Sequence, residues 1–260
     1  MRKILTPLLL VLLATTAGAD SLTETIDRTF NVRAGSMVEL SNVNGRVTVG
    51  SWDQPRVRVI ARKQVKASSG DAEKILHALR VEMQPQDGGL VVNTHFPKRH
   101  SDGGTIFDWL LGNNVEANVQ YDVTVPRNMN LTVRNTNGAI EVRQVDGKLK
   151  VGTTNGKIAL EDCGGSLEAS TTNGGIRADF RSVAPGQPFR LQTTNGRIEI
   201  SLPQSIAADL DASTTNGSIR SDLPVTTTGM SRNTLRGTIN GGGTPVRLRT
   251  TNGGISIRTN

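Results

Sequence analysis

From about residue 126 onward, apolar and polar positions alternate in short runs broken by the same four letters. Thr-Thr-Asn-Gly begins at Thr153, Thr171, Thr193, Thr214 and Thr250, and Asn-Thr-Asn-Gly at Asn135. Aligned on glycine, the pattern covers Gly138, Gly156, Gly174, Gly196, Gly217, Gly237 and Gly253, with Ile two residues after each. The steps are 18, 18, 22, 21, 20 and 16 residues. Weaker copies at Asp146-Gly147 and Gly164-Gly165 split the early units into halves of about nine residues. Around Asn195-Gly196, the residues Leu191, Thr193, Ile198 and Ile200 share one side, while Gln192, Thr194, Arg197 and Glu199 share the other. Val151, Thr153, Ile158 and Leu160 repeat the arrangement one unit earlier. A period of two marks a sheet with one dry face.

Units of this length cannot bury an apolar face alone and are expected to stack. Two mainly-β architectures fit. In a β-solenoid each unit is a coil with strands on two faces; in a β-meander each Asn-Gly is a type I′ hairpin tip. The near-constant unit length and its division into halves favour the solenoid. The structural turn residues are then Asn137-Gly138, Asn155-Gly156, Asn173-Gly174, Asn195-Gly196, Asn216-Gly217 and Asn252-Gly253. Asn and Gly both tolerate the positive φ angles of tight turns, which is the expected reason for the pair. Equivalent Thr and Asn residues would stack about 4.8 Å apart as hydroxyl and amide ladders. The prolines of SVAPGQPF and SLPQSIAAD suit loops that protrude from the stack.

The chain before the repeats reads differently. In DAEKILHALRVEM, Ile75, Leu76, Leu79 and Val81 or Met83 follow helical spacing behind Asp71 as N-cap, which predicts a helix near 71–83. Strand-like segments flank it, so residues 20–125 are expected to form a strand-rich α+β portion that caps a solenoid over 126–260. Residues 1–19 have the layout of a cleaved secretory signal: Arg2 and Lys3, an apolar core from Leu8 to Leu13, and Ala17-Gly18-Ala19. That core is too short to span a bilayer and no later segment looks transmembrane, so the chain is expected to be exported, to the periplasm or the surface of a bacterium.

Residues 35–260 resemble the bacterial DUF4097 family, whose members carry an adhesin label. The likeness rests on VELSNVNGRVTVGSW, the segment DAEKILHALRVEM followed by GLVVNTHFP, and YDVTVPRNMNLTVRNTNGAIEV leading into the Thr-Thr-Asn-Gly series. The resemblance implies an envelope-associated β-solenoid without a known catalytic centre.

Charge and composition narrow the choice of partner. Without the two leader cations, 28 Lys and Arg face 23 acids, a balance of +5. Arg56, Arg58, Arg62, Lys63 and Lys66 lie in one acid-free run, and five arginines follow Asp222 with no acid after it. Such runs form a solvated face or attract an anionic surface. Export and an aromatic content of 3% argue against nucleic acid. The only cysteine, Cys163, allows no intrachain disulfide and is expected to be buried in a half-unit corner.

Catalysis on a β-helix would need carboxylates converging on one bond. Glu141 and Glu199 share a repeat position, but Ala159 and Arg177 stand between them; Asp179 and Asp222 are separated by Ser201. His77, His95, His100 and Asp102 lack metal-site spacing, and His77 reads as a partly buried helix residue. The expectation is a non-enzyme without metal or cofactor that acts as a structural or adhesive module toward an envelope protein or anionic glycan. The alternative is a carbohydrate-active β-helix acting on an acidic polysaccharide. Ile106, Phe107, Trp109, Leu110 and Leu111 form an apolar cluster expected to plug the solenoid or to serve as a contact patch. The chain stops directly after a repeat strand, which suggests a free C-terminal edge open to self-association.

Overall fold

The computed structural model describes residues 10–13, 21–66, 72–96 and 116–260. Strands β1 (Leu10–Leu13), β2 (Ser21–Asn31), β3 (Met37–Ser41), β4 (Val47–Trp52) and β5 (Arg56–Lys66) precede one helix, α1 (Ala72–Ala78). Then come β6 (Arg80–Gln86), β7 (Gly89–His95), β8 (Glu116–Pro126), β9 (Asn130–Arg134), β10 (Ile140–Arg143), β11 (Asp146–Asn155) and β12 (Ile158–Asn173). The remainder is β13 (Ile176–Val183), β14 (Phe189–Asn195), β15 (Ile198–Leu202), β16 (Ala208–Asn216), β17 (Ile219–Ser221), β18 (Thr226–Ser231), β19 (Thr234–Ile239), β20 (Thr244–Asn252) and β21 (Ile255–Thr259).

Equivalent strands pair in parallel and in register, so the repeats form coils and not hairpins. Ile140 pairs with Ile158, Ile158 with Ile176, Ile176 with Ile198, and Ile198 with Ile255. These five side chains are at most 1% exposed. Each buried Ile contributes about 1.5–3 kcal/mol through removal from water, and a row of them gives the column a continuous apolar interior. On the opposing sheet Leu131, Leu149, Leu167, Phe189 and Val246 form a second buried row. Phe180 and Phe189 meet edge to face with ring centroids 4.7 Å apart.

The corner explains the tetrad. An asparagine amide ladder runs along the whole column: Asn137 donates to Asn44, Asn155 to Asn137, Asn173 to Asn155, Asn195 to Asn173, Asn252 to Asn195 and Asn216 to Asn252, at 2.7–2.8 Å. The first Thr of each tetrad turns inward and donates to the glycine carbonyl of the neighbouring coil, as Thr193 does to Gly174 at 2.8 Å and Thr250 to Gly196 at 2.9 Å. Glycine is required by this close approach. A Cβ on Gly196 would lie 2.0 Å from the Gly174 carbonyl oxygen. Positive φ accounts for only part of the pair: Gly138, Gly174 and Gly253 have it, at 141°, 157° and 155°, whereas none of the corner asparagines does and neither do Gly156, Gly196 or Gly217.

Four other expectations need correction. The column begins before residue 126, because β3 and β4 pair in parallel with β9 and β10 as its first coil. The helix ends at Ala78, and Arg80–Gln86 is a strand, since Val81 and Met83 fit a period of two as well as a helical one. Gly237 is not a corner; it sits inside β19, which pairs antiparallel with β16 and β18. The C-terminal edge is not free. β20 and β21 lie between β14–β15 and β16–β17, so the last coil in sequence is the penultimate one in space, and the β18–β19 hairpin extends the sheet beyond β16.

At the other end the two sheets continue as β7–β6 and as β8–β5–β2–β1. Helix α1 packs its buried Ala72, Ile75 and Leu76 toward β5 and β2.

Candidate functional site

Because inward positions of the coils are occupied by apolar side chains, by Thr and, in the first coils, by the hydrogen-bonded Asn42 and Asn135, binding chemistry falls to the outward rows, the two corners and the ends. Opposite the Asn-Gly corner, Gln144 and Asp162 take φ angles of 58° and 51° and turn their side chains into a small ionic network. Arg181 bridges Asp146 and Asp162, with Nη1 2.8 Å from Asp162 Oδ1 and Nη2 2.6 Å from Asp146 Oδ2. Arg127 also reaches Asp146, at 3.3 Å. The Arg181 guanidinium holds the Asp162 carboxyl below the usual carboxylate range. Beside it Cys163 is fully buried, and that burial pushes its thiol pKa up, which leaves the thiol unreactive.

A cavity of about 720 Å³ opens at the N-terminal end, lined by Glu24, Lys63, His77, Arg80, Glu82 and His95 among others. Lys63, from the basic run on β5, turns inward, is 5% exposed and lies 2.6 Å from Glu24. Glu82 and His95 are 3.1 Å apart. Nearby, burial pushes Tyr121 up to about 12, and its hydroxyl lies 2.6 Å from that of Thr94. The rest of the β5 run faces outward and is partly neutralised, Arg58 by Asp27 and Arg62 by Asp122. A second cavity, of about 600 Å³, lies among Pro185, Pro203, Ile206 and Gly243, where the two proline-bearing insertions meet the turn before β20.

The outer face of the sheet that precedes the Asn-Gly corner carries one row across six adjacent strands: Lys150, Glu168, Arg190, Arg247, Asp211 and Arg236. Lys150 pairs with Glu168 at 2.9 Å, while Asp211 is shared by Arg236 at 3.2 Å and Arg249 at 3.3 Å. Burial works against the Asp211 charge, but hydrogen bonds from these two arginines outweigh it and hold the carboxyl below its usual value. A shallow trough of about 450 Å³ runs beside the row, with Arg134, Gly152, Ser170 and Gln192 in its lining.

The asparagines and glycines singled out in the sequence come together at the corner as a hydrogen-bonded ladder. Glu141 and Glu199 stay apart, Glu141 near Arg143 and Glu199 near Arg197. His77 is an exposed helix residue, 3.9 Å from Glu73, and not partly buried. No cluster of metal-ligating side chains occurs among the described residues. Ile106, Phe107, Trp109, Leu110 and Leu111, together with His100 and Asp102, lie outside the described residues. Sequence reasoning missed Arg190 and Arg247 as a pair, although both occupy the same repeat position, five residues before the corner Asn.

A parallel β-solenoid whose coils are tied by Asn and Thr ladders, with a strand-rich α+β beginning, is the class this architecture defines. The chain belongs to the Toastrack DUF4097 family, whose profile matches residues 112–258. Residues 37–52, which build the first coil, precede the matched region. Among solved structures the chain is similar to a candidate cell adhesion protein of Clostridium sporogenes ATCC 15579, at 11% identity over 98% of this chain and 100% of that one, TM-score 0.42. It is also similar to a candidate adhesin of Bacteroides fragilis NCTC 9343, at 8% identity over 91% and 97%, TM-score 0.37. A candidate lipid-binding protein of Parabacteroides distasonis ATCC 8503 matches at 9% identity over 93% and 97%, TM-score 0.28. A comparison with curated proteins finds no match.

Proposed function

We propose that this protein is an exported, non-enzymatic binding module of the bacterial envelope, working through the outward rows of its column. One observation carries the reading: the recurring Thr, Asn, Gly and Ile are consumed by internal hydrogen bonds and packing, whereas outward positions change charge from coil to coil. That division suits a rigid platform with a variable surface. Export enters through the leader. Cleavage after Ala19 removes β1 and leaves β2 as the edge of its sheet. Intact mass of the protein recovered from a bacterial host should show the loss of residues 1–19. The purified protein should be retained on native envelope fragments and on a glycan array without turnover; no retention on either would overturn the reading.

The N-terminal cavity favours a second reading, a carbohydrate-active enzyme for acidic polysaccharides, because it gathers Glu24, Glu82, Lys63 and His95 around one opening. Reducing-sugar release that disappears in Glu82→Gln would support it over the binding module.

A further inference from the structure

Within the described strand pairings, acids and bases that oppose one another in register are generally of opposite sign or separated by a neutral residue. Arg190 and Arg247 break that rule. They stand directly opposite each other on β14 and β20, both exposed. Like charges so placed oppose folding, so their position calls for a counter-ion. The acids that flank them do not supply it. Glu168, next to Arg190, is 2.9 Å from Lys150, and Asp211, next to Arg247, serves Arg236 and Arg249. Among the described residues neither Arg190 nor Arg247 has an ion-pair or side-chain hydrogen-bond partner. With Lys150, Arg236 and Arg249 the patch holds five cations against Glu168 and Asp211, a balance of +3.

We propose that this face binds a linear glycan bearing carboxylates or sulfates, which lies across the strands with one anionic group held between Arg190 and Arg247. The inference rests on the binding-module reading and names its site and ligand class. Two guanidiniums one strand spacing apart, about 4.8 Å, can share a single carboxylate or sulfate through charge-assisted hydrogen bonds. Lys150 stands two strands beyond Arg190, and Arg236 two strands beyond Arg247, so cationic positions recur along about 24 Å of the column axis. The adjoining trough offers hydroxyl and amide groups from Ser170, Thr154 and Gln192 over a floor opened by Gly152, which matches a hydroxylated ligand. An acidic peptide would gain affinity by adding a strand, but each of the six strands here is already paired on both sides. The ligand must therefore be read by side chains alone.

The test is calorimetric titration of the purified protein with polygalacturonate and with heparin, beside neutral dextran, poly-L-glutamate and vesicles of phosphatidylglycerol. Arg190→Gln with Arg247→Gln is compared with Arg177→Gln and Arg220→Gln, two exposed arginines on the opposite sheet that carry the same change in charge. The first pair should weaken binding of an anionic glycan about tenfold or more and leave the melting temperature equal or higher; the second pair should change affinity by less than about twofold. Equal losses in both pairs would reduce the effect to net charge and overturn the proposal. So would a lower melting temperature in the first pair, or arginine-dependent binding of vesicles or poly-L-glutamate in place of the glycans. If wild type is retained on envelope fragments while the first pair behaves like wild type throughout, this site falls and the binding module stands. If wild type is retained on nothing, both fall.

Discussion

Thr193, Asn195 and Gly196 do three different jobs within four residues. The Thr193 hydroxyl is buried and satisfies the Gly174 carbonyl, Asn195 links Asn173 to Asn252, and Gly196 leaves room for the neighbouring backbone. Their replacement should therefore rank in cost. Gly196→Ala drives a Cβ into a carbonyl that sits on the column itself and should cost about 3 kcal/mol or more. Thr193→Val leaves a buried acceptor without its partner and should cost about 1–3 kcal/mol, while Asn195→Ala, at an exposed position, should cost about 1 kcal/mol. Chemical denaturation of the three variants checks the order; an Asn195→Ala loss exceeding that of Gly196→Ala would contradict it. Titration adds a second check at the far corner. Arg181 depresses Asp162 in the folded state, so the stability this carboxylate adds is present above its unfolded pKa of about 3.9 and is lost as pH falls through the lower folded value. Thermal melts of wild type and Asp162→Asn should differ at pH 6 and draw together as the pH falls through the depressed folded-state value.

At the level of elements, the coils were legible because their chemistry repeats, and the order of the last two was not because that same chemistry repeats. Strand β14 can place Thr193 against Thr250 or Thr214, and Asn195 against Asn252 or Asn216, with the same hydrogen bonds in either case. Nothing local distinguishes the neighbours. The length of the β18–β19 hairpin and the return through the Asn240-Gly243 turn, where all four residues have positive φ, decide that β20 enters between β14 and β16. The helix boundary was illegible for a related reason, since the apolar spacing of Val81 and Met83 satisfies two periods. The arginine pair was hidden by the exchange: taken in sequence order, Arg190 would stand beside Asp211 and be neutralised. A consequence is measurable by native-state hydrogen exchange. The amides of β20 and β21, although C-terminal, should be protected like those of β14 and β15, because they are bonded on both sides. Fraying of residues 244–259 ahead of β16 would place them at an edge.

For the whole molecule, the column makes stability and recognition separable. Its interior is closed by Ile, Leu and Val rows and its corners by ladders, so the outward rows are free to carry charge that costs stability, as Arg190 and Arg247 do. The central claim is that parallel coils stack in register in an order that differs from the sequence. Disulfide trapping tests it most directly, in a Cys163→Ser background with cysteines at exposed second-Thr positions. Thr194 and Thr251 flank the in-register pairs Thr193–Thr250 and Asn195–Asn252, about 4.8 Å apart across one strand spacing, whereas Thr194 and Thr215 lie two spacings apart, beyond the roughly 7 Å reach of a disulfide. Oxidation should cross-link Thr194→Cys with Thr251→Cys and leave Thr194→Cys with Thr215→Cys reduced. Cross-linking of the second pair in place of the first, or of neither, would contradict the account.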